Sequence, residues 1–140
     1  MTGPFDLERF VEAQEAVFAD VLAELRRGRK ESHWMWFVFP QIDGLGASPT
    51  ARRFALRSLD EARAYLDHPL LGPRLRQCCE ILLGLPSRSA EQIFGYPDVM
   101  KLKSSLTLFS RAAEDAGPFE ALLEKYYGGE EDPRTLALLG

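Results

Sequence analysis

Ser32-His33-Trp34-Met35-Trp36-Phe37-Val38-Phe39-Pro40 is the stretch on which the fold class turns. It is apolar without a break from Trp34 to Phe39, so neither a helical period nor the alternation of a surface strand can be read from it. Such a segment is buried on nearly all sides, as a short helix capped by Ser32 or as a central strand. A central strand needs neighbours, and no second strand-like segment stands elsewhere in the chain. The run is therefore read as helix, and the protein as all-α.

Towards the N-terminus the period is plain. Asp6 reads as an N-cap, and Leu7, Phe10, Val11, Val17, Phe18, Val21, Leu22 and Leu25 recur at steps of three and four until Gly28, a natural stop. This predicts one helix of about five to six turns. Gln14 sits in the middle of its apolar stripe, where a polar side chain must find a partner or cost about 1–3 kcal/mol. A bond to a neighbouring loop carbonyl is the first reading of Gln14; a ligand contact is the alternative.

Towards the C-terminus, Gln41-Ile42-Asp43-Gly44-Leu45-Gly46-Ala47 is a loop, and helix punctuation then repeats. Ser48-Pro49 is an N-cap with proline at the first helical position. Ser58-Leu59-Asp60-Glu61 and Ser89-Ala90-Glu91-Gln92 are capping-box patterns. Leu71 to Leu83 is a further helix closed by Gly84 and Pro86, Pro97-Asp98 opens a longer one, Pro118 opens another that Gly128-Gly129 breaks, and Asp132-Pro133 begins a last turn. His68, just before Pro69, reads as a capping or turn residue. The expectation is a single α-helical domain over residues 1–140 with about seven or eight helices and no repeat or linker.

Composition excludes several classes. The 140 residues are 46% hydrophobic and 27% charged, as in an ordinary globular domain that forms one core without disulfides. No apolar run approaches the roughly 18 residues of a membrane span, and Met1 to Asp6 lacks the basic start and apolar core of a signal peptide; the expected location is cytoplasmic. With a net charge of -4, a broad grip on duplex nucleic acid is not expected. Adjacent Cys78 and Cys79 cannot easily bridge, and with only His33 and His68 as other soft ligands no metal spacing exists. No cofactor is implied, and the oligomeric state is not legible.

Charge is uneven. Arg26, Arg27, Arg29, Lys30, Arg52, Arg53 and Arg57 face only Glu24, Glu31 and Asp43 between Leu22 and Arg57, a local excess of four positive charges. The same stretch holds Trp34, Trp36, His33, Gln41 and the flexible Gly44 and Gly46. Cations, rings and backbone amides freed by glycine are the parts of a site for a phosphate-bearing, nucleotide-like anion; a solvated basic face beside an aromatic core is the plain alternative. A second constellation is Asp98, Lys101 and Ser105, on one helix face at steps of three and four. It could bind an anion or activate a hydroxyl, or be no more than a surface ion pair with a serine bonded back to its own helix.

The blocks Phe5 to Gln14, Ser32 to Gly46, Ser58 to Leu66, Ile93-Phe94-Gly95 and Lys101 to Phe109 resemble the bacterial family catalogued as domain of unknown function 1810. The resemblance covers nearly the whole chain and implies a mainly helical single domain, with no established activity. The name calpastatin sometimes attached to such proteins describes a disordered inhibitor, which this composition does not match. Phe10 to Gln14, Met100 to Phe109 and Leu122-Leu123 are also similar in pattern to segments of NADAR proteins, which implies an ADP-ribose-like ligand and N-glycosidic hydrolysis. The expected function is thus binding of a phosphate-bearing nucleoside derivative, with such hydrolysis as its chemistry; a noncatalytic interaction module is the alternative.

Overall fold

Ten helices and no strand are found in residues 5–140, the part of the chain that the computed structural model describes; the reading of Met1 to Pro4 lies outside it. They are α1 (Glu8–Glu15), α2 (Phe18–Arg26), α3 (Met35–Val38), α4 (Pro49–Phe54), α5 (Leu59–Asp67), α6 (Leu71–Gly84), α7 (Ala90–Phe94), α8 (Asp98–Ala112), α9 (Gly117–Tyr127) and α10 (Pro133–Leu139). The all-α expectation holds, and the deciding run is the short helix α3. Ser32 does not cap it: Trp34 holds the N-cap position without a side-chain bond.

Local cap chemistry sets most of the boundaries. Ser48 Oγ accepts from Ala51 N at 3.1 Å, Asp132 Oδ2 from Thr135 N at 3.0 Å, and Ser89 and Gln92 form a complete capping box. At Ser58 the box is shifted: its hydroxyl accepts from Glu61 N at 3.1 Å, but the Glu61 carboxylate reaches back to Arg57 N at 2.8 Å. His68 Nδ1 accepts from Leu70 N at 3.1 Å and Leu71 N at 3.2 Å, capping the start of α6.

Two expectations fail at the N-terminal end. The single long helix is broken at Ala16-Val17 into α1 and α2, because the halves serve different neighbours: α1 packs on α3, and α2 on α6. Nor is Asp6 an N-cap. Leu7 occupies that position without a side-chain bond, while the Asp6 carbonyl accepts from the Arg9 guanidinium.

Helix α8 is the hub, with α3, α5, α7, α9 and α10 all packed against it. A line of ring contacts runs through the core, from Phe10 to Tyr65 at 5.1 Å, on to Phe109 at 5.5 Å and to Phe119 at 5.7 Å. Burying such rings is the main source of core stability. The loop after α3 is tied down by a single parallel bridge between Ile42 and Leu56, in which Asp43 N donates to Leu56 O at 2.8 Å and Leu56 N to Gln41 O at 2.9 Å. Among the described residues no helix is long and apolar enough to cross a membrane.

Candidate functional site

The α3 segment, the tied loop, the head of α8 and the start of α10 surround a cleft of about 270 Å³. Trp36 comes from α3; Gln41, Leu45 and Gly46 from the loop; Tyr96, Pro97, Met100, Lys101 and Ser104 from the turn before α8 and its first two turns; Asp132 and Arg134 from α10. Gly44 lines an adjoining hollow that shares Trp36, Gln41, Leu45 and Gly46. Five candidates from two separate stretches of sequence, Trp36, Gln41, Gly44, Gly46 and Lys101, are therefore brought together.

Glycine is required in this wall. A Cβ on Gly46 would stand 2.8 Å from Ala51 Cβ, closer than packed carbons approach, and Gly44 has φ +106°, a conformation side chains disfavour. Leu138 of α10 covers Gly44: a Cβ there would meet Leu138 Cδ2 at 3.1 Å.

The remaining candidates lie elsewhere. Trp34 is 1% exposed and is core; its indole N–H donates to Glu24 Oε1 at 3.0 Å. Gln14 is also core, its Nε2 donating to the Phe37 carbonyl at 2.7 Å and to Tyr65 Oη at 3.0 Å. His33 is exposed and is not part of the cleft. Arg53 is exposed and lies over the Phe54 ring, outside the cleft. Ser105 is fully buried, and its Oγ has no hydrogen-bond partner among the described residues, so it does not converge with Asp98 and Lys101. Those two do pair, at 3.1 Å.

Around Asp98 the electrostatics are specific. Lys30 Nζ lies 2.8 Å from Oδ2 and Lys101 Nζ 3.1 Å from Oδ1. Burial alone would raise the Asp98 pKa, but the hydrogen bonds and charges of the two lysines outweigh it and hold the carboxyl below its ordinary value. Lys101 Nζ also sits 3.9 Å from the Trp36 ring centroid, a cation–π contact. One face of Trp36 is thereby taken by the protein's own cation. Asp132 borders the cleft but is only 6% exposed, and its Oδ2, which caps α10, also accepts from Ser104 Oγ at 3.2 Å and Thr135 Oγ1 at 2.6 Å.

Tyr96, Met100 and Leu138 are the exposed large hydrophobic side chains among the described residues, at 80%, 49% and 48%. Two line the cleft and the third covers Gly44. Clustered exposed apolar side chains of this kind mark contact surfaces. Met100 and Ser104 had a signal in sequence, since they follow Lys101's helix at neighbouring positions; Tyr96, Asp132 and Arg134 had none, because only the packing of α10 and the turn before α8 brings them near. A larger hollow of about 580 Å³ lies beside α8 and α9, lined by Glu120, Glu124, Glu131 and Arg111. It contains no candidate residue and no aromatic side chain, and Arg111 is closed onto Glu131 by bonds of 2.9 and 2.8 Å. Among the described residues no group of three or more His, Cys, Asp or Glu is placed to hold a metal ion.

Residues 4–139 match the family model described as Protein of unknown function (DUF1810). The crystal structure of the conserved hypothetical protein Rv1873 from Mycobacterium tuberculosis is similar over 98% of both chains, with 59% sequence identity and a TM-score of 0.96. No curated protein matches the chain.

Proposed function

The chain belongs to the DUF1810 family of proteins of unknown function, and on that footing we propose that the cleft between α3, α8 and α10 binds a phosphate-bearing nucleoside derivative of ADP-ribose type. The observation that carries this is the Lys101 ammonium, held 3.9 Å from the Trp36 ring at the wall of a cleft that also gathers Tyr96, Gln41 and Arg134. Each part has a matching ligand group. Lys101 and Arg134 supply cationic donors for phosphate oxygens. The Gln41 amide both donates and accepts, as recognition of a ribose or base edge requires. Tyr96 offers an exposed ring for stacking. A cleft of about 270 Å³ is at the small end for ligand pockets, so the ring end of the ligand rests on the rim at Tyr96.

Hydrolysis of the N-glycosidic bond of a pyridinium-type nucleoside is the finer part of the proposal: water adds to the anomeric carbon, the carbon–nitrogen bond breaks with its electron pair passing to the ring nitrogen, the base leaves neutral, and the proton lost by the water passes to solvent. Asp132 is the carboxylate at the cleft that would assist. Docking of a protein partner is the second reading, and the exposed Tyr96, Met100 and Leu138 favour it.

Thermal melting of the chain with ADP-ribose, AMP and ribose 5-phosphate tests binding, since a ligand at 100 times its Kd stabilises by about 2.7 kcal/mol. A shift that Lys101→Met and Gln41→Ala abolish supports the proposal. No shift with any of the three at millimolar concentration would refute it and leave the docking reading. Chromatography of an NAD-type N-glycoside incubated with the protein tests hydrolysis, through release of the free base.

A further inference from the structure

Two ammonium groups share one carboxylate at the head of α8. Lys30 is the more deeply placed: its side chain is 7% exposed, and besides Asp98 at 2.8 Å it donates to the Ser32 carbonyl at 2.6 Å and lies 5.1 Å from the Trp34 ring. Lys101 is 18% exposed, borders the cleft, and makes one hydrogen bond, to Asp98. An ammonium has three N–H donors, so two of Lys101's stay unspent. Two cations against one anion leave one positive charge in excess, in a half-buried setting where water screens it weakly.

We infer that Lys30 is a positioning residue that satisfies Asp98 and so frees the Lys101 charge for a ligand's phosphate, which makes Lys101 the anion subsite of the cleft. This rests on the proposed ligand class. Without Lys30, Asp98 and Lys101 close into a neutral pair, and the subsite loses its net charge although every group lining the cleft is still present. Lys30 thus acts on the ligand only through Asp98.

Isothermal titration of the full chain at low salt, with AMP and separately with inorganic pyrophosphate, tests this. Lys30→Met keeps an unbranched side chain of similar length and removes the charge; AMP binding should weaken about tenfold, with a smaller dependence on salt. Asp98→Asn raises the net charge and should tighten binding. The double variant restores one net positive charge and should return to within about threefold of the wild type. A lysine that merely supported the fold would weaken binding in all three. Unchanged affinity in Lys30→Met, or equal or weaker binding in Asp98→Asn, overturns the inference while the cleft reading stands. If Lys30→Met does not fold, Asp98→Asn decides alone: tighter binding supports the inference, and equal or weaker binding overturns it. A wild type that takes pyrophosphate through Lys101 but not AMP refutes the nucleoside and keeps the subsite; one that takes neither refutes both.

Discussion

Glu24 holds Trp34 in place: Oε1 accepts the indole N–H at 3.0 Å and the backbone N–H groups of Glu31 and Ser32 at 2.7 and 2.9 Å, while Oε2 accepts from the Ser32 hydroxyl. Burial raises the pKa of this carboxyl, but the four donors prevail and bring it from 4.5 down to about 2. A depressed pKa contributes stability that is present above the unfolded value and lost as pH falls through the folded one. Urea unfolding between about pH 5 and pH 2 should therefore show a loss of stability that Glu24→Gln reduces. At neutral pH Glu24→Ala should cost about 2–3 kcal/mol, because charge-accepted hydrogen bonds are lost and buried donors stranded.

His33 and Gln41 should part company. His33 is exposed and away from the cleft, so His33→Ala should change stability by less than about 0.5 kcal/mol and leave any melting shift with ADP-ribose intact. Gln41→Ala should remove that shift while the protein still folds. Loss of the shift in His33→Ala would move the site away from the cleft described.

Gly46 and Ala51 are in contact tight enough to measure. Gly46→Ala places a methyl 2.8 Å from Ala51 Cβ and should destabilise by about 1–3 kcal/mol. Ala51→Gly opens that space, at a helix cost of about 1 kcal/mol. The pair should then be non-additive by at least about 0.5 kcal/mol in a double-mutant cycle; additive losses would show that the loop yields instead.

Cys78 and Cys79 are free and buried. Burial pushes the Cys78 thiol up to about 12, and Cys79 upward for the same first reason, so the reactive thiolate is scarce at neutral pH. Reductant should leave the unfolding midpoint unchanged, and a thiol reagent should react only as the chain unfolds. Rapid labelling of the native protein would contradict the packing of α6.

Helix caps were legible in the sequence because they are chemistry between neighbours, as at Ser48-Pro49, Ser89 to Gln92 and Asp132-Pro133. The break between α1 and α2 was not, since the apolar period runs through Ala16-Val17 unaltered and only the choice of α3 or α6 as a neighbour bends the chain. Trp34 and Trp36 show the same limit at the site. In a run without polar residues nothing marks which ring turns inward; Glu24, ten positions earlier, decides it for Trp34. The loop and Lys101 could be picked out by residue type, whereas Tyr96 and Arg134 meet them only through the packing of the whole fold.

The bridge between Ile42 and Leu56 is a lone pair of bonds, Asp43 N to Leu56 O and Leu56 N to Gln41 O, with no ladder on either side to share the load. The amide hydrogens of Asp43 and Leu56 are consequently protected by one local event, distinct from the global opening that protects α8. They should show matching protection factors against deuterium exchange, well below those of Leu106 and Phe109, and gain protection together when a ligand occupies the cleft. Backbone exchange at these two positions thus reports the breathing of the cleft wall without altering any side chain in it.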